Sequence, residues 1–149
     1  CLNELNIPNA NLLVDKMLIC DFILANKDRH FNNFGVIRNV ETLKFERVAP
    51  IFDNGRSLWF DENDMYVGEF FLTKPFEEYE KTQVSLVKNI SWLNISKLDG
   101  FLGEVREILS SNKLLSNERI EKIIEHIKSR IEFVKHLKQL RENGNDSEM

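Results

Sequence analysis

The stretch Asn26-Lys27-Asp28-Arg29-His30-Phe31-Asn32-Asn33-Phe34-Gly35 decides how this chain is read, together with Ile51-Phe52-Asp53-Asn54-Gly55 downstream. The first is a polar run directly behind the apolar segment Leu12 to Leu24. The second sets a carboxylate in the otherwise apolar context Ala49-Pro50-Ile51-Phe52. Between them the pattern predicts a β-hairpin, with Phe34 to Arg38 as one strand, Lys44 to Val48 as the return and Asn39-Val40-Glu41-Thr42 as the turn. In that register Phe34 faces Val48. Extended backwards, the ladder sets Asp53 opposite residues near Arg29, with strands roughly 5 Å apart. The expectation is that folding brings Asp53 beside Asp28 and Asn33.

Two carboxylates and an amide so placed suit a particular chemistry. Mg²⁺ is a hard octahedral ion that takes one or two carboxylates and completes its shell with waters and substrate phosphates. Phosphoryl transfer needs one more carboxylate, to orient the attacking hydroxyl and take its proton. In protein kinases that base is an Asp, followed five residues later by a metal-binding Asn and further on by a metal-binding Asp. Asp28 and Asn33 have the five-residue separation, and Asp53 supplies the later carboxylate.

Asp28-Arg29-His30-x-x-Asn33 resembles the catalytic loop of HipA-like serine/threonine kinases and that of the phosphatidylinositol kinases. Ala49-Pro50-Ile51-Phe52-Asp53-Asn54-Gly55 resembles the HipA-like segment that carries the metal-binding Asp. The motif-bearing likeness covers Leu12 to Leu58. It implies a mainly α fold with a small β-hairpin, the helical carboxy-terminal lobe of a protein-kinase-like fold. By that resemblance Asp28 is the catalytic base, Asn33 and Asp53 hold Mg²⁺ and with it the phosphates of ATP, and His30 supports the site near the transferred phosphate. One departure is plain: Phe52 precedes Asp53, so the order is not the Asp-Phe-Gly of eukaryotic protein kinases. A switch that works by moving that Phe is not implied.

Taken singly, each residue has a plainer reading. A loop Asp is commonly a turn former or a helix cap, Arg29 a surface or local ion pair, and Asn33 and Asn54 turn residues that tolerate the left-handed region. It is the combination, with a buried helix before it and a hairpin after it, that carries the functional reading.

Composition sets the outer limits. The 149 residues are one domain's worth of chain and enough for a real core. Hydrophobic content of 42% with 30% charged residues is ordinary for a globular protein. Eleven Phe against two Tyr and two Trp point to a filled interior rather than a stacking surface for bases. The net charge of −4 and the lack of a basic stripe give no electrostatic footprint for direct nucleic-acid binding. Two cysteines, Cys1 and Cys20, give no disulfide framework, and Cys20 reads as a reduced, core-filling thiol suited to the cytoplasm. No signal-peptide pattern and no apolar span of about 18 residues indicate secretion or a membrane. The first residue is Cys, which fits a cut from a longer chain or removal of an initiator Met.

In chain order, Cys1 to Pro8 is a lead-in. Asn9 or Asn11 caps a largely buried helix in which Leu13, Met17, Cys20 and Leu24 recur at helical spacing. Asp15, Lys16 and Asp21 are its exceptions, Asp21 reading as an exposed or paired carboxylate or as one facing the polar loop. Asp61-Glu62-Asn63-Asp64 is a solvated turn, and Met65 to Thr73 is irregular or a short strand. Lys74-Pro75-Phe76 is a break, with Lys74 either a surface lysine or one that reaches a phosphate. Glu77 to Lys88 is helical, with Val84 and Val87 inward. Asn89 to Asn94 is a connector anchored by Trp92. Leu98, Leu102, Val105 and Leu109 mark the next helix. Ser116 or Asn117 caps the last, whose stripe is Ile120, Ile124, Ile127, Ile131, Val134 and Leu137 and whose His126 and His136 read as exposed. Asn143-Gly144 stops it, leaving residues 1–142 as one domain and 143–149 as a disordered tail.

The sequence has no glycine-rich phosphate loop and no βαβ phosphate cradle. The resemblance accounts for this, because those parts belong to the amino-terminal region of HipA-like kinases. The chain then needs that lobe, in cis or in trans, for phosphoryl transfer to a Ser or Thr hydroxyl of a protein substrate. An antitoxin-type partner is implied by the resemblance alone. Two other functions fit parts of the pattern. One is a non-catalytic kinase-like scaffold, and the other a metal-dependent phosphoesterase using Asp28, His30 and Asp53.

Overall fold

The apolar run before the polar loop folds into helix α1 (Ala10–Leu24). The computed structural model describes residues 7–61 and 71–145. After α1 come a 3₁₀ turn (Phe31–Asn33), the strands β1 (Val36–Arg38) and β2 (Phe45–Val48), and the short helix α2 (Glu80–Val84). A second 3₁₀ turn (Ile95–Leu98) leads to α3 (Phe101–Ser110) and α4 (Asn117–Asn145). The described chain is mainly helical with one small antiparallel sheet. It divides into two compact units, Cys1–Ser57 with Phe70–Asn89, and Leu58–Glu69 with Ile90–Met149.

In the first unit α1 packs against α2 and β2. Its buried face is Met17, Leu18, Ile19, Phe22 and Ile23, while Leu13, Cys20 and Leu24 are only half-buried. The helix is thus turned somewhat from the expected face. Asn9 occupies the N-cap position, in the left-handed region at φ 57°, but its side chain makes no capping bond. The helix ends where Ala25 turns left-handed (φ 55°) and its N–H and that of Asn26 bond back to the last turn, Asn26 N to Asp21 O at 2.8 Å. An alanine there costs about 1 kcal/mol relative to glycine. Burial of its methyl group in the core accompanies that choice.

The hairpin forms as expected but in a shifted register: Val48 faces Val36 rather than Phe34, with an irregularity between Ile37 and Arg38. The turn explains the shift. Asn39 Oδ1 accepts from both Glu41 N and Thr42 N, and Leu43 takes a left-handed backbone at φ 59°. The loop closes between Asn39 and Lys44, two residues longer than the tight turn expected. The offset is two residues at Val36 and Ile37, which keeps those side chains on their faces, and one at Arg38, where the irregularity takes up the difference.

The helix expected over Glu77 to Lys88 is confined to Glu80–Val84. Gln83 Oε1 accepts from Phe76 N and Glu77 N, which holds that segment as a loop instead of a first helical turn. Val84 and Val87 are buried as expected. Buried Asp15 accepts from Lys88 N (3.1 Å) and Asn89 N (2.9 Å), fixing the end of this segment on α1.

In the second unit α3 packs on α4. Leu98 belongs to the preceding 3₁₀ turn, because Gly100 at φ 84° breaks the chain before α3 starts. Ser116 is the cap of α4, its Oγ accepting from Arg119 N at 3.1 Å. Ile120, Ile123, Ile124, Ile127, Ile131 and Val134 are all buried. His136 is exposed, but His126 is 2% exposed, a correction to the sequence reading. It stacks on buried Trp59 at 4.6 Å between ring centroids, and Arg130 lies over the same ring at 5.1 Å. Arg119 donates to Trp59 O. The core aromatic is therefore Trp59, while Trp92 is half-buried. The helix runs through Gly144 to Asn145. Expectations for residues 1–6, 62–70 and 146–149 lie outside the described residues.

Candidate functional site

The polar loop is built around Arg29, whose side chain is 0% exposed. A guanidinium carries five N–H donors in a planar fork, and here all five have acceptors. Nε and Nη2 form a two-pronged pair with Asp21 on the last turn of α1, at 2.8 and 2.7 Å. Nη1 donates to the backbone oxygens of Asn33 (2.8 Å) and Phe52 (2.5 Å). The remaining Nη2 proton goes to Asn54 Oδ1 at 2.6 Å. Asn26 adds a second brace, donating to Asp21 Oδ1 at 3.0 Å and to Asn54 Oδ1 at 3.4 Å.

One buried cation thus ties together the helix end, the Asp28-to-Asn33 loop and the Phe52-Asp53-Asn54 segment. An ion pair taken out of water is stable only when its remaining donors are also satisfied, and this one meets that condition. Arg29 is a local ion pair, as its type suggested, and Asp21 is paired and faces the loop.

Around this brace the sequence-predicted residues are placed as follows. Asn33 is buried, and its Nδ2 donates to Asp28 O at 3.2 Å, so these two are brought together. Its Oδ1 has no donor among the described residues. Asp53 is exposed, with its backbone in the left-handed region at φ 56°. Its carboxylate makes no hydrogen bond or ion pair among the described residues, while its neighbours Phe52 and Asn54 are held by Arg29. His30 caps the 3₁₀ turn by accepting from Asn32 N through Nδ1 at 3.3 Å.

Asp28, with 25% of its side chain exposed, is paired to two cations. Lys74 Nζ donates to Oδ1 at 2.9 Å, and Arg56 Nη1 lies 3.7 Å from Oδ2. The Lys74 hydrogen bond holds the Asp28 carboxyl below its ordinary range; burial opposes it, and the charges of Lys74, Arg56 and His30 act in the same direction as the hydrogen bond. At neutral pH Asp28 is an ionised acceptor.

The sequence alone did not reveal Lys74 at this carboxylate, since 46 residues separate them. Nor did it reveal what places it there. Gln83 Nε2 donates to Lys74 O at 2.7 Å, and the Phe76 ring packs against Phe31 (5.9 Å) and Phe34 (6.2 Å). The one available signal was the break Lys74-Pro75-Phe76, which carries no address.

Asn33 Oδ1 and the Asp53 carboxylate are hard oxygen donors without protein partners among the described residues, the donor type that Mg²⁺ takes beside phosphates and waters. Among the described residues no three His, Cys, Asp or Glu side chains are grouped to hold a metal ion. The phosphoesterase set Asp28, His30 and Asp53 therefore does not form a three-donor centre. Comparisons of the chain with protein-family models, curated proteins and solved structures returned no match. No helix among the described residues is long and apolar enough to cross a membrane.

Proposed function

We propose that the chain is the catalytic, helical lobe of a HipA-like kinase that transfers the γ-phosphoryl group of ATP to a Ser or Thr hydroxyl of a protein. The observation that carries this reading is the five-donor Arg29 brace, which joins the loop of Asp28 and Asn33 to the segment of Asp53. In a phosphoryl-transfer site those two segments must be held in fixed relation. Asp28 accepts the hydroxyl proton as the hydroxyl oxygen bonds to the γ-phosphorus. The bond from that phosphorus to the β,γ-bridging oxygen breaks, and its electron pair leaves with ADP. Asn33 and Asp53 are the residues to hold Mg²⁺, which would supply charge neutralisation at the phosphates.

On this reading the nucleotide lid comes from an amino-terminal lobe in cis or trans, the setting is cytoplasmic, and an antitoxin-type protein is a partner. The test is phosphate transfer from labelled ATP by the full protein that carries this lobe. Asp28→Ala is expected to lower turnover about 10²–10⁴-fold. Transfer that persists unchanged in Asp28→Ala would remove Asp28 as the base, and with it the reading.

A further inference from the structure

Lys74 is more than a neighbour of the proposed base. An ammonium group has three donors. Lys74 uses one, on Asp28 Oδ1, and has no other acceptor among the described residues. The side chain is 59% exposed, so the remaining two protons face solvent at the edge of the same carboxylate. An exposed ion pair of this kind is ordinarily a weak and mobile contact. Here the backbone that carries it is fixed. Gln83 grips Lys74 O and the N–H groups of Phe76 and Glu77, Thr73 N bonds to Glu78 O at 2.8 Å, and Phe76 closes a triad of rings with Phe31 and Phe34. Two members of that triad, Phe31 and Phe34, flank Asn32 and Asn33 in the polar loop itself. The strap is therefore seated on the loop whose carboxylate it serves.

We infer that Lys74 is a phosphate-binding residue of this site, bridging Asp28 and the terminal phosphoryl group of a Mg²⁺–nucleoside triphosphate. The inference rests on the kinase reading above and extends it to a residue outside the motif. A lysine so placed keeps one proton on Asp28 and offers the other two to phosphoryl oxygens, where charge accumulates during transfer. Because it addresses the terminal phosphoryl group, it distinguishes triphosphate from diphosphate.

The experiment is amide NMR titration of the full protein that carries this lobe with Mg²⁺–ATP and with Mg²⁺–ADP up to millimolar concentration, for wild type, Lys74→Ala, Lys74→Arg and Asp53→Asn. Wild type is expected to bind ATP more tightly than ADP, with shifts at residues 73–76 that ATP produces and ADP does not. Lys74→Ala should lose that preference by weakening ATP about tenfold while leaving ADP unchanged, and Lys74→Arg should restore part of it. Asp53→Asn should weaken both nucleotides. A merely structural Lys74 would leave the ratio of the two affinities untouched. If the amides of residues 28–34 and 52–55 respond to both nucleotides and Lys74→Ala keeps the wild-type ratio, the role of Lys74 is overturned and the kinase reading stands. If no amide of the site responds to either Mg²⁺–nucleotide, both fall together.

Discussion

The two units differ in what they place inside. In the first, Asp15, Asp21, Asn26, Arg29, Asn33, Thr73, Glu80 and Gln83 are buried beside the aliphatic residues of α1. In the second, the core is a run of isoleucines on α4, with His126 and Arg130 gathered on Trp59. The reason lies in the backbone. Helices α3 and α4 satisfy their own peptide groups, so their core can be largely apolar. The first unit fixes long loops, whose peptide groups need outside partners. Arg29, Asp15 and Gln83 supply those partners to residues 33 and 52, 88 and 89, and 74, 76 and 77 respectively. Buried polarity in this chain marks where geometry is held without secondary structure.

That contrast can be broken most severely at Arg29. Arg29→Met leaves Asp21 buried and uncompensated, and should cost about 3–5 kcal/mol. Denaturant unfolding gives the loss, and amide exchange should accelerate across residues 26–34 and 52–55. A loss under about 1 kcal/mol would mean that the brace is dispensable. In the apolar unit the matching change is Ile127→Ala, which should cost about 2–4 kcal/mol through cavity formation. Its exchange signature should appear along α4.

Gln83→Ala sharpens the comparison, since it deletes partners of three peptide groups without touching a charge. A loss of about 1–3 kcal/mol is expected, with faster exchange at the amides of Phe76 and Glu77.

The smallest effect belongs to the exposed pair. The Asp28 carboxyl titrates below its unfolded value, so the pair with Lys74 stabilises the fold above about pH 4 and that contribution is lost as pH falls through the lower, folded value. Solvent screening keeps it to roughly half a kcal/mol. In Lys74→Ala the Asp28 midpoint, followed by carboxyl ¹³C shifts, should rise toward the ordinary range. A midpoint that does not move would show that Lys74 and Asp28 are not paired in solution.

Much of the fold was legible because it is local. The run from Leu12 to Leu24, the hairpin and the isoleucine repeat of α4 each follow from short-range periodicity. The register of the hairpin differs from the sequence expectation, by two residues at Val36 and one at Arg38, because it depends on Asn39, whose side chain organises a longer turn than strand propensity suggests. The face of α1 differs from the expected one because Asp15, a polar exception in the pattern, is an interior anchor whose partners at residues 88 and 89 no spacing rule reveals. Asp21 is paired and faces the polar loop, one of the readings its position allowed, but its partner Arg29 was not marked by spacing.

His126 was placed outside for the same reason: its partner Trp59 is distant in sequence, and the stripe seen without it looked complete. At the site, the residue types of Asp28, Asn33 and Asp53 were readable from the motif. The brace that relates their segments and the lysine on Asp28 were not, since both are products of tertiary folding.

The hydrogen bonds from Lys88 and Asn89 to Asp15 have a consequence in time. The first unit is assembled from two stretches separated by residues of the other unit, and Asp15 closes a loop of more than seventy residues. Contacts of that sequence separation form late and slow the approach to the native state. A nascent chain therefore carries α1 and the whole Asp28 loop out of the ribosome well before the segment that completes their surroundings, and the site matures only after residue 89 has been made.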